Sequence, residues 1–472
     1  MKKLKVGVVG IGLDTYWTQF DQLLNHLQSY QNTIAANMQQ EEIDIINVGI
    51  IDNMDKALIA KTKMIVEEVD IIFLYVSTYA LSSTILPLVQ QLNKFVVILN
   101  IQPASRIDID RLNSLPDRKD RTGMWLEYCQ ACAVPELCSV FNRANIRYDI
   151  VSGYMQDEGT WLEIKQYLNA AKTKKGLQCS TFGILGHYYN GMLDVYTDVT
   201  RQQATFGSNF KMLEMCEVKK YRDEVEESEL DNKIVEFSDV FDVSKECDSY
   251  EVKRAAQTSV ALDRLIEDND LAGLAYYYEG TSGNEYENIV TSVIAGNTLL
   301  TAKGIPVAGE CEVKNLIAMK ILSLLGAGGS FAEFYALDFD KDIVMLGHDG
   351  PAHVAIAEER VGLVPLPIYH GKPGKGLSIQ MTVRHGPVTL LSVVESNDGV
   401  FLLIAQGESV AGKILQTGNT NSCYKFPISA KEFINSWSKA GPSHHCAIGV
   451  GHCRETIEKL AQLLSIPVKN IC

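Results

Sequence analysis

Short apolar runs alternate with amphipathic stretches through the first 150 or so residues of the chain. Residues 4–9 and 70–76 are apolar at nearly every position, as is typical of strands buried on both faces of a parallel sheet. Between such runs, a stretch like 54–66 repeats its apolar residues at the helical period. This rhythm predicts a doubly wound parallel sheet with helices on both faces.

A polar segment at 156–160 and a lysine-rich one at 172–176 separate this region from a second α/β region. There the pattern predicts strands at 180–185 and 271–278 and helices at 248–267 and 285–302.

The pattern changes again after residue 326, where short apolar segments lie between Gly and Pro turns. This spacing predicts a small antiparallel barrel or sandwich, followed by a last helix at 454–464. The predicted fold class is α/β: two doubly wound α/β domains followed by a C-terminal antiparallel β-barrel-like domain. The predicted domains are 1–175, 176–325 and 326–472.

The composition of the chain argues against nucleic acid and membranes as partners. The chain has 472 residues, a net charge of −15 and no lysine- or arginine-rich run, so nucleic acid is not an expected partner. We find no apolar run near the roughly 18 residues of a membrane span and no signal-peptide core. The 11 cysteines form no framework. We therefore expect reduced thiols and a cytoplasmic protein that does not bind membranes.

The first strand is followed by Gly10-Ile-Gly12, which has the start of a dinucleotide-binding fingerprint. Thr15 stands at the third glycine position, so a tight turn is the favoured interpretation. An NAD-dependent oxidoreductase stays open as an alternative.

Candidate chemistry lies in the C-terminal half, where Glu310, Glu333, His348 and the pair His444–His445 follow or adjoin glycines and prolines. Each residue taken singly also fits a structural role. Two carboxylates and two imidazoles together are enough to hold one divalent metal and leave positions open for a substrate.

The segments 307–310, 329–333, 344–348 and 441–445 resemble, in order and separation, the metal-binding segments of the L-arabinose isomerase family. Residues 161–171 resemble its helix leading into the central domain. Residues 363–405 resemble its C-terminal β region, with a turn at 370–375. The related fucose isomerase type usually has Asp where this chain has Glu333, so the arabinose type is favoured.

The resemblance implies a metal-dependent aldose–ketose isomerase that interconverts a free pentose or 6-deoxyhexose aldose with its ketose through an enediol(ate). Mn²⁺ is the implied cofactor, with Co²⁺ or Mg²⁺ as substitutes. The implied ligands are Glu310, Glu333, His348 and His445, with His444 as the fallback. Glu310 and Glu333 would also act as acid and base.

The likeness fails in the loop after the first strand. Arabinose-active relatives carry Gln and His there, whereas this chain has Asp14, Tyr16 and Trp17. A second sugar-contacting segment of the family aligns near Gln130 only with a gap, and its His is missing. We predict these four residues and His444 as substrate contacts, with arabinose itself left open.

In the family this loop reaches a neighbouring subunit's active site, which implies a homotrimer or homohexamer. A non-catalytic sugar-binding or regulatory protein is the second alternative.

Overall fold

The structure is a computed structural model that describes residues 3–279, 283–366, 368–369, 372–373, 375–417 and 419–472. The chain separates into two compact units, unit 1 (1–175) and unit 2 (176–472). The finer division of unit 2 at residue 325 stays a prediction. Within the described part of the chain, no helix has both the length and the apolar character needed to cross a membrane.

Unit 1 alternates strands and helices, and its last helix continues into unit 2. Its elements are β1 (Leu4–Ile11), α1 (Leu23–Met38), β2 (Ile43–Ile51), α2 (Met54–Val66), β3 (Ile71–Val76), α3 (Ser82–Leu92), β4 (Val96–Gln102), α4 (Ile109–Ser114), α5 (Arg118–Leu126), α6 (Gln130–Arg143), β5 (Tyr148–Tyr154) and α7 (Glu158–Gln178).

The five strands of unit 1 form one parallel sheet in the order β2-β1-β3-β4-β5. Every residue of β3 is buried, because helices cover both faces of such a sheet. Parallel sheets in the N-terminal region are thus confirmed. Strand order changes direction at β1, so the loop after Ile11 lies at the switch point where open α/β sheets usually bind ligands.

Unit 2 begins with a second alternation of strands and helices and continues into a strand-rich region. Its elements are β6 (Thr181–Gly186), α8 (Val199–Phe206), β7 (Asn209–Leu213), α9 (Met215–Asp223), α10 (Glu227–Val240), β8 (Asp242–Val243), α11 (Ser249–Asp268), β9 (Gly273–Tyr277), α12 (Glu287–Val290), α13 (Ile294–Ala302), β10 (Val307–Ala308), α14 (Val313–Leu324), β11 (Gly328–Asp338), β12 (Ile343–His348), β13 (Gly362–Pro365), β14 (Ile368–Tyr369), β15 (Lys372–Pro373), β16 (Leu377–Gln380), β17 (Gly386–Ser396), β18 (Gly399–Val410), β19 (Thr420–Lys425), α15 (Ala430–Lys439), β20 (His445–Val450), α16 (Arg454–Leu464) and β21 (Val468–Asn470).

The first sheet of unit 2 is parallel, with the order β10-β9-β6-β7. The single helix predicted over 285–302 is wrong, because it is split into α12 and α13. At the break, the Thr291 hydroxyl donates to Glu287 O and the Ser292 hydroxyl to Asn288 O. The buried Arg254 guanidinium also donates to Asn288 O and Thr291 O there, two carbonyls that a continuous helix would use for its own backbone hydrogen bonds.

The large sheet of unit 2 has the order β17-β20-β11-β12-β19-β18-β21, with β17 also paired to β18. Its pairings are antiparallel apart from β18 with β21. The prediction of an antiparallel domain is corrected to a mixed sheet, since β21 follows helix α16 and runs parallel to β18. The barrel shape stays a prediction. The turn predicted at 370–375 includes residues 370, 371 and 374, which lie outside the described residues.

Helix α14 packs closely onto this sheet, and this packing positions the segments that carry Glu310 and Glu333. At the start of β11, Gly329 has a φ of +103°, and a Cβ there would lie 2.5 Å from the carbonyl oxygen of Met319. Only glycine allows this approach without displacing the helix. Glu310 lies just before α14, and Glu333 lies farther along β11.

Candidate metal centre

Glu310 lies just beyond the short strand β10, at the carboxyl end of a parallel sheet, where ligands usually bind. Glu310 and Cys311 both have left-handed backbones, with φ values of 54° and 60°. Each such non-glycine residue costs on the order of 1–3 kcal/mol, and such strain often occurs at functional sites. The segment is held by Cys311, which is fully buried, and by the start of α14.

Two imidazoles converge on the Glu310 carboxylate. The Nε2 atoms of His444 and His445 each lie 3.4 Å from Glu310 Oε2, and the two rings are 3.8 Å apart between centroids. One ligand atom from each of the three residues lies within 4.8 Å of the others. Among the described residues this is the one such cluster of three. We call Glu310, His444 and His445 the metal trio.

A second carboxylate orients each imidazole of the trio. His445 Nδ1 lies 2.5 Å from Glu312 Oε2, and His444 Nδ1 lies 2.6 Å from Asp194 Oδ2. Each carboxylate accepts a hydrogen bond from Nδ1–H, which leaves Nε2 of the same ring free to ligate. Both rings therefore present their Nε2 atoms to the same carboxylate oxygen.

The donor set fits a divalent cation. His445 Nε2 is buried and has no hydrogen-bond partner among the described residues. Buried polar atoms are normally satisfied, and a cation between the imidazoles and the carboxylate would satisfy this one. Two imidazole nitrogens and one carboxylate oxygen suit Mn²⁺, Co²⁺ or Zn²⁺.

Asp194 lies in the loop after β6 and is itself held in place. Its carboxylate also accepts the backbone N–H of His444 at 3.0 Å. Its carbonyl oxygen accepts hydrogen bonds from the Lys314 ammonium and the Ser443 hydroxyl. The loop is thus tied both to α14 and to the segment that carries the histidine pair.

The carboxylates around His444 raise the pKa of its imidazole. Burial opposes protonation of His444, but its hydrogen bonds to Glu310 and Asp194 outweigh this effect and raise its pKa to about 9. Metal-free His444 is therefore positively charged at neutral pH. A divalent cation would displace that proton, because an imidazole must be neutral to ligate.

Glu333 and His348, the other two predicted ligands, adjoin the trio but are not part of it. Glu333 is opposite Gly347 of β12 and His445 of β20 in the strand register. It lines, with His444 and others, a cavity of about 310 Å³. Both residues therefore line the same cavity.

His348 packs edge-on to His445, with ring centroids 5.3 Å apart, and Phe331 contacts both rings. Its Nδ1 accepts the backbone N–H of Gly350 at 2.7 Å, so neutral His348 carries its proton on Nε2. Metal ligation through Nε2 requires the ring to give up this contact. The ligand roles of His348 and Glu333 stay predictions.

The predicted substrate residues of unit 1 lie at the carboxyl end of its sheet. Asp14 is exposed, while Tyr16 and Trp17 are partly buried and pack on an apolar cluster that includes Cys129. The indole N–H of Trp17 donates to the buried carboxylate of Asp52 at 2.7 Å. This bond fixes the indole ring against the end of β2.

Gln130 opens helix α6 and is buried. Its amide N–H groups donate to the carbonyl oxygens of Ser77 and Glu127, at 3.0 and 2.6 Å. The substrate roles of Gln130 and of the loop stay predictions.

Sequence reasoning missed the two orienting carboxylates and treated His444 as a fallback ligand. One feature of the sequence could have indicated Glu312: it is a second carboxylate two residues after Glu310 in an otherwise apolar segment. No feature of the sequence indicates Asp194, since it lies 250 residues from His444, to which it is hydrogen-bonded.

Comparison with known proteins bears on the same part of the chain. The family model described as the L-arabinose isomerase C-terminal domain matches residues 328–467. The chain is also similar to a sulfoquinovose isomerase of Alkalicoccus urumqiensis, with 21% identity over 328 residues that cover 69% of this chain and 72% of that protein. The matched domain includes Glu333, His348 and both histidines of the trio, while Glu310 precedes it.

Proposed function

We propose, from the premise that this chain is an isomerase of the arabinose/fucose isomerase-like family, that it interconverts a free aldose and its ketose with one bound divalent metal ion. The observation that carries the proposal is the convergence of Glu310, His444 and His445, each offering a ligand atom within 4.8 Å of the others. Neither a structural carboxylate nor a structural histidine pair requires this arrangement.

The metal trio would hold the ion, with Glu333 and His348 as the further predicted ligands. Mn²⁺ is the proposed cofactor, and Co²⁺ or Mg²⁺ are possible substitutes. When bound, such an ion polarises a sugar carbonyl and offsets the negative charge that develops on oxygen during isomerisation.

The protein's own carboxylates would move the protons. Isomerisation takes a proton from C2 of the open-chain aldose and returns it to C1, while a hydroxyl proton passes from O2 to O1. Glu310 and Glu333 are the groups proposed for these two transfers. Glu333 lines the cavity beside His444, and Glu310 lies 3.4 Å from the same imidazole, so both would adjoin a sugar held there.

A free pentose or 6-deoxyhexose is the substrate class that we propose. The nearby cations Lys314 and Arg201 are both engaged within the protein. Lys314 donates to the carbonyl oxygens of Asp194 and Tyr196, and Arg201 lies 3.7 Å from Glu395. A neutral sugar needs no free cation. Sulfoquinovose, which carries a sulfonate, is the second candidate because a relative is named for it.

We further propose a cytoplasmic homotrimer or homohexamer. All 11 cysteines are free thiols, as is usual in a reducing compartment. The loop after β1 would contact sugar in the active site of a neighbouring copy, as the resemblance implies.

The experiment is a chelation and reconstitution assay. The protein is stripped with a chelator, reloaded with Mn²⁺, and supplied with pentoses, 6-deoxyhexoses and sulfoquinovose while ketose formation is measured. We expect activity to require metal, and Glu310→Ala, Glu333→Ala and His348→Ala each to lower metal occupancy or activity sharply. Glu408→Gln, at an exposed position of β18, is the control and should behave as the wild type.

Full activity after extensive chelation, or in Glu333→Ala, would refute the assignment. Sugar binding with no turnover at any metal level would favour the non-catalytic sugar-binding alternative. A change in NAD absorbance during turnover would favour the oxidoreductase.

A further inference from the structure

Two cysteines of unit 1 have their sulfur atoms in direct contact. The Sγ atoms of Cys129 and Cys132 lie 2.7 Å apart, whereas a disulfide bond is about 2.05 Å long. Cys129 is the N-cap residue of α6 and Cys132 lies in its first turn, so the helix backbone holds the two side chains on the same face of the helix. Little movement separates this dithiol from a disulfide.

We propose that Cys129 and Cys132 form a reversible thiol-modification site, which exchanges with low-molar-mass disulfides such as oxidised glutathione to give an intramolecular disulfide. The site is separate from the metal trio and from the chemistry proposed for it. The spacing Cys-x-x-Cys at a helix start is one that redox-active thiols use.

Unequal exposure gives the two sulfurs different roles. Cys132 is exposed and Cys129 is buried, so a soluble disulfide reaches Cys132 first. The Cys132 thiolate attacks one sulfur of the reagent, forms a mixed disulfide and releases one thiolate. The Cys129 sulfur then loses its proton, attacks Cys132 Sγ and expels the second thiolate. The protein loses two electrons and two protons, and the reagent is reduced to two thiols.

The second step should be the slower one. In the dithiol, burial and then the hydrogen bond to Cys132 raise the pKa of the Cys129 thiol to about 12. Burial persists in the mixed disulfide, so little of Cys129 is thiolate at neutral pH. The short distance between the two sulfurs partly offsets this low thiolate fraction, because Cys129 Sγ already lies beside the atom that it attacks.

The pair also brackets residues predicted to contact sugar. Gln130 lies between the two cysteines in the chain, and Cys129 belongs to the apolar cluster on which Tyr16 and Trp17 pack. Closing the disulfide would fix the position of Cys129, which lies in the cluster under that loop. An effect on turnover rests on the proposed function, whereas disulfide formation does not.

The test maps the disulfide by mass. The full chain is equilibrated with oxidised glutathione, quenched with acid, alkylated and cut with trypsin. The peptide 122–143 has no internal Lys or Arg and carries Cys129, Cys132 and Cys138. We expect three alkyl labels on it in reduced protein and one label, on Cys138, in oxidised protein. Cys138→Ser is the matched control and should form the same disulfide.

Three labels after equilibration would overturn the proposal, and so would a mixed disulfide that stays on Cys132 without closing. A single remaining label on Cys129 or Cys132 instead of Cys138 in oxidised wild type would also overturn it, because Cys138 would then be one of the paired residues. Where a sugar is turned over, its KM should change on oxidation of the wild type and not of Cys132→Ser, and an unchanged wild-type KM would overturn the coupling to the loop. If no sugar is turned over, the labelling result still decides the disulfide.

Discussion

Replacing Glu312 should weaken metal binding and leave turnover at saturating metal largely unchanged. Its carboxylate accepts a hydrogen bond from Nδ1–H of His445 at 2.5 Å, and both residues are only 1% exposed. Because Nδ1 carries the proton, Nε2 is the nitrogen that faces Glu310. Glu312 thus orients a predicted ligand and raises its basicity, which is how outer carboxylates act in metal sites.

The expected size follows from this hydrogen bond. A hydrogen bond to a charged group contributes roughly 1.5–3 kcal/mol, and about 1.4 kcal/mol is a factor of ten in affinity. Its loss should weaken metal binding about 10- to 100-fold, as is common for outer-shell groups. Glu312→Gln keeps an acceptor and should lie near the lower end of this range, while Glu312→Ala should lie near the upper end.

Isothermal titration of the stripped protein with Mn²⁺ measures the affinity, and circular dichroism checks the fold. Turnover should recover largely at saturating Mn²⁺, because Glu312 contacts His445 and not the sugar. Glu408→Gln should match the wild type in both respects. Wild-type affinity in folded Glu312→Ala, or lost turnover that saturating metal leaves unrestored, would refute the positioning role.

At limiting Mn²⁺, isomerase activity should fall as pH drops below about 9, since the pKa of metal-free His444 lies there and protons compete with the metal for its imidazole; added Mn²⁺ should restore part of it, and no recovery would exclude that competition. In metal-free protein, the raised pKa of His444, about 9 against 6.5, should stabilise the fold below pH 6.5, and this gain should be lost as pH rises through 9. The unfolding temperatures of wild type and His444→Gln should therefore converge above pH 9, and equal temperatures at pH 6 would contradict this. Cys311→Val should lower stability and metal affinity more than Cys311→Gly, because a β-branched residue is strained at its φ of 60°; calorimetry decides the order, and equal effects would remove strain as the cause. Because of the loop at 10–17, we expect weak or no turnover of L-arabinose, and efficient turnover would contradict this. We also expect the active protein to be a trimer or hexamer, and an active monomer in light scattering would contradict that.

The strands and helices of unit 1 could be predicted because their cause is local. Residues 71–76 are apolar at every position and become the buried strand β3, and residues 54–66 carry the helical period and become α2. The break between α12 and α13 could not, because it coincides with hydrogen bonds from Arg254, which lies more than 30 residues away in the chain, to Asn288 O and Thr291 O.

The sequence marked Glu310 and the histidine pair as candidates, but not their arrangement or the two carboxylates that orient the imidazoles. Glycine-flanked glutamates and a histidine pair mark the chemistry locally. The approach of both imidazoles to Glu310 depends on packing between segments more than 130 residues apart. The Asp194 contact spans 250 residues, and no periodicity or motif records such a pairing.

We propose that Glu310, His444 and His445 hold the ion that the isomerase uses. Anomalous X-ray scattering from crystals of the active protein loaded with Mn²⁺ tests it most directly. We expect one strong peak per chain within bonding distance of the Glu310 carboxylate and of at least one Nε2 of the histidine pair. No peak there, or a peak elsewhere in the chain, in crystals whose protein still converts aldose to ketose, would refute this assignment of the metal site.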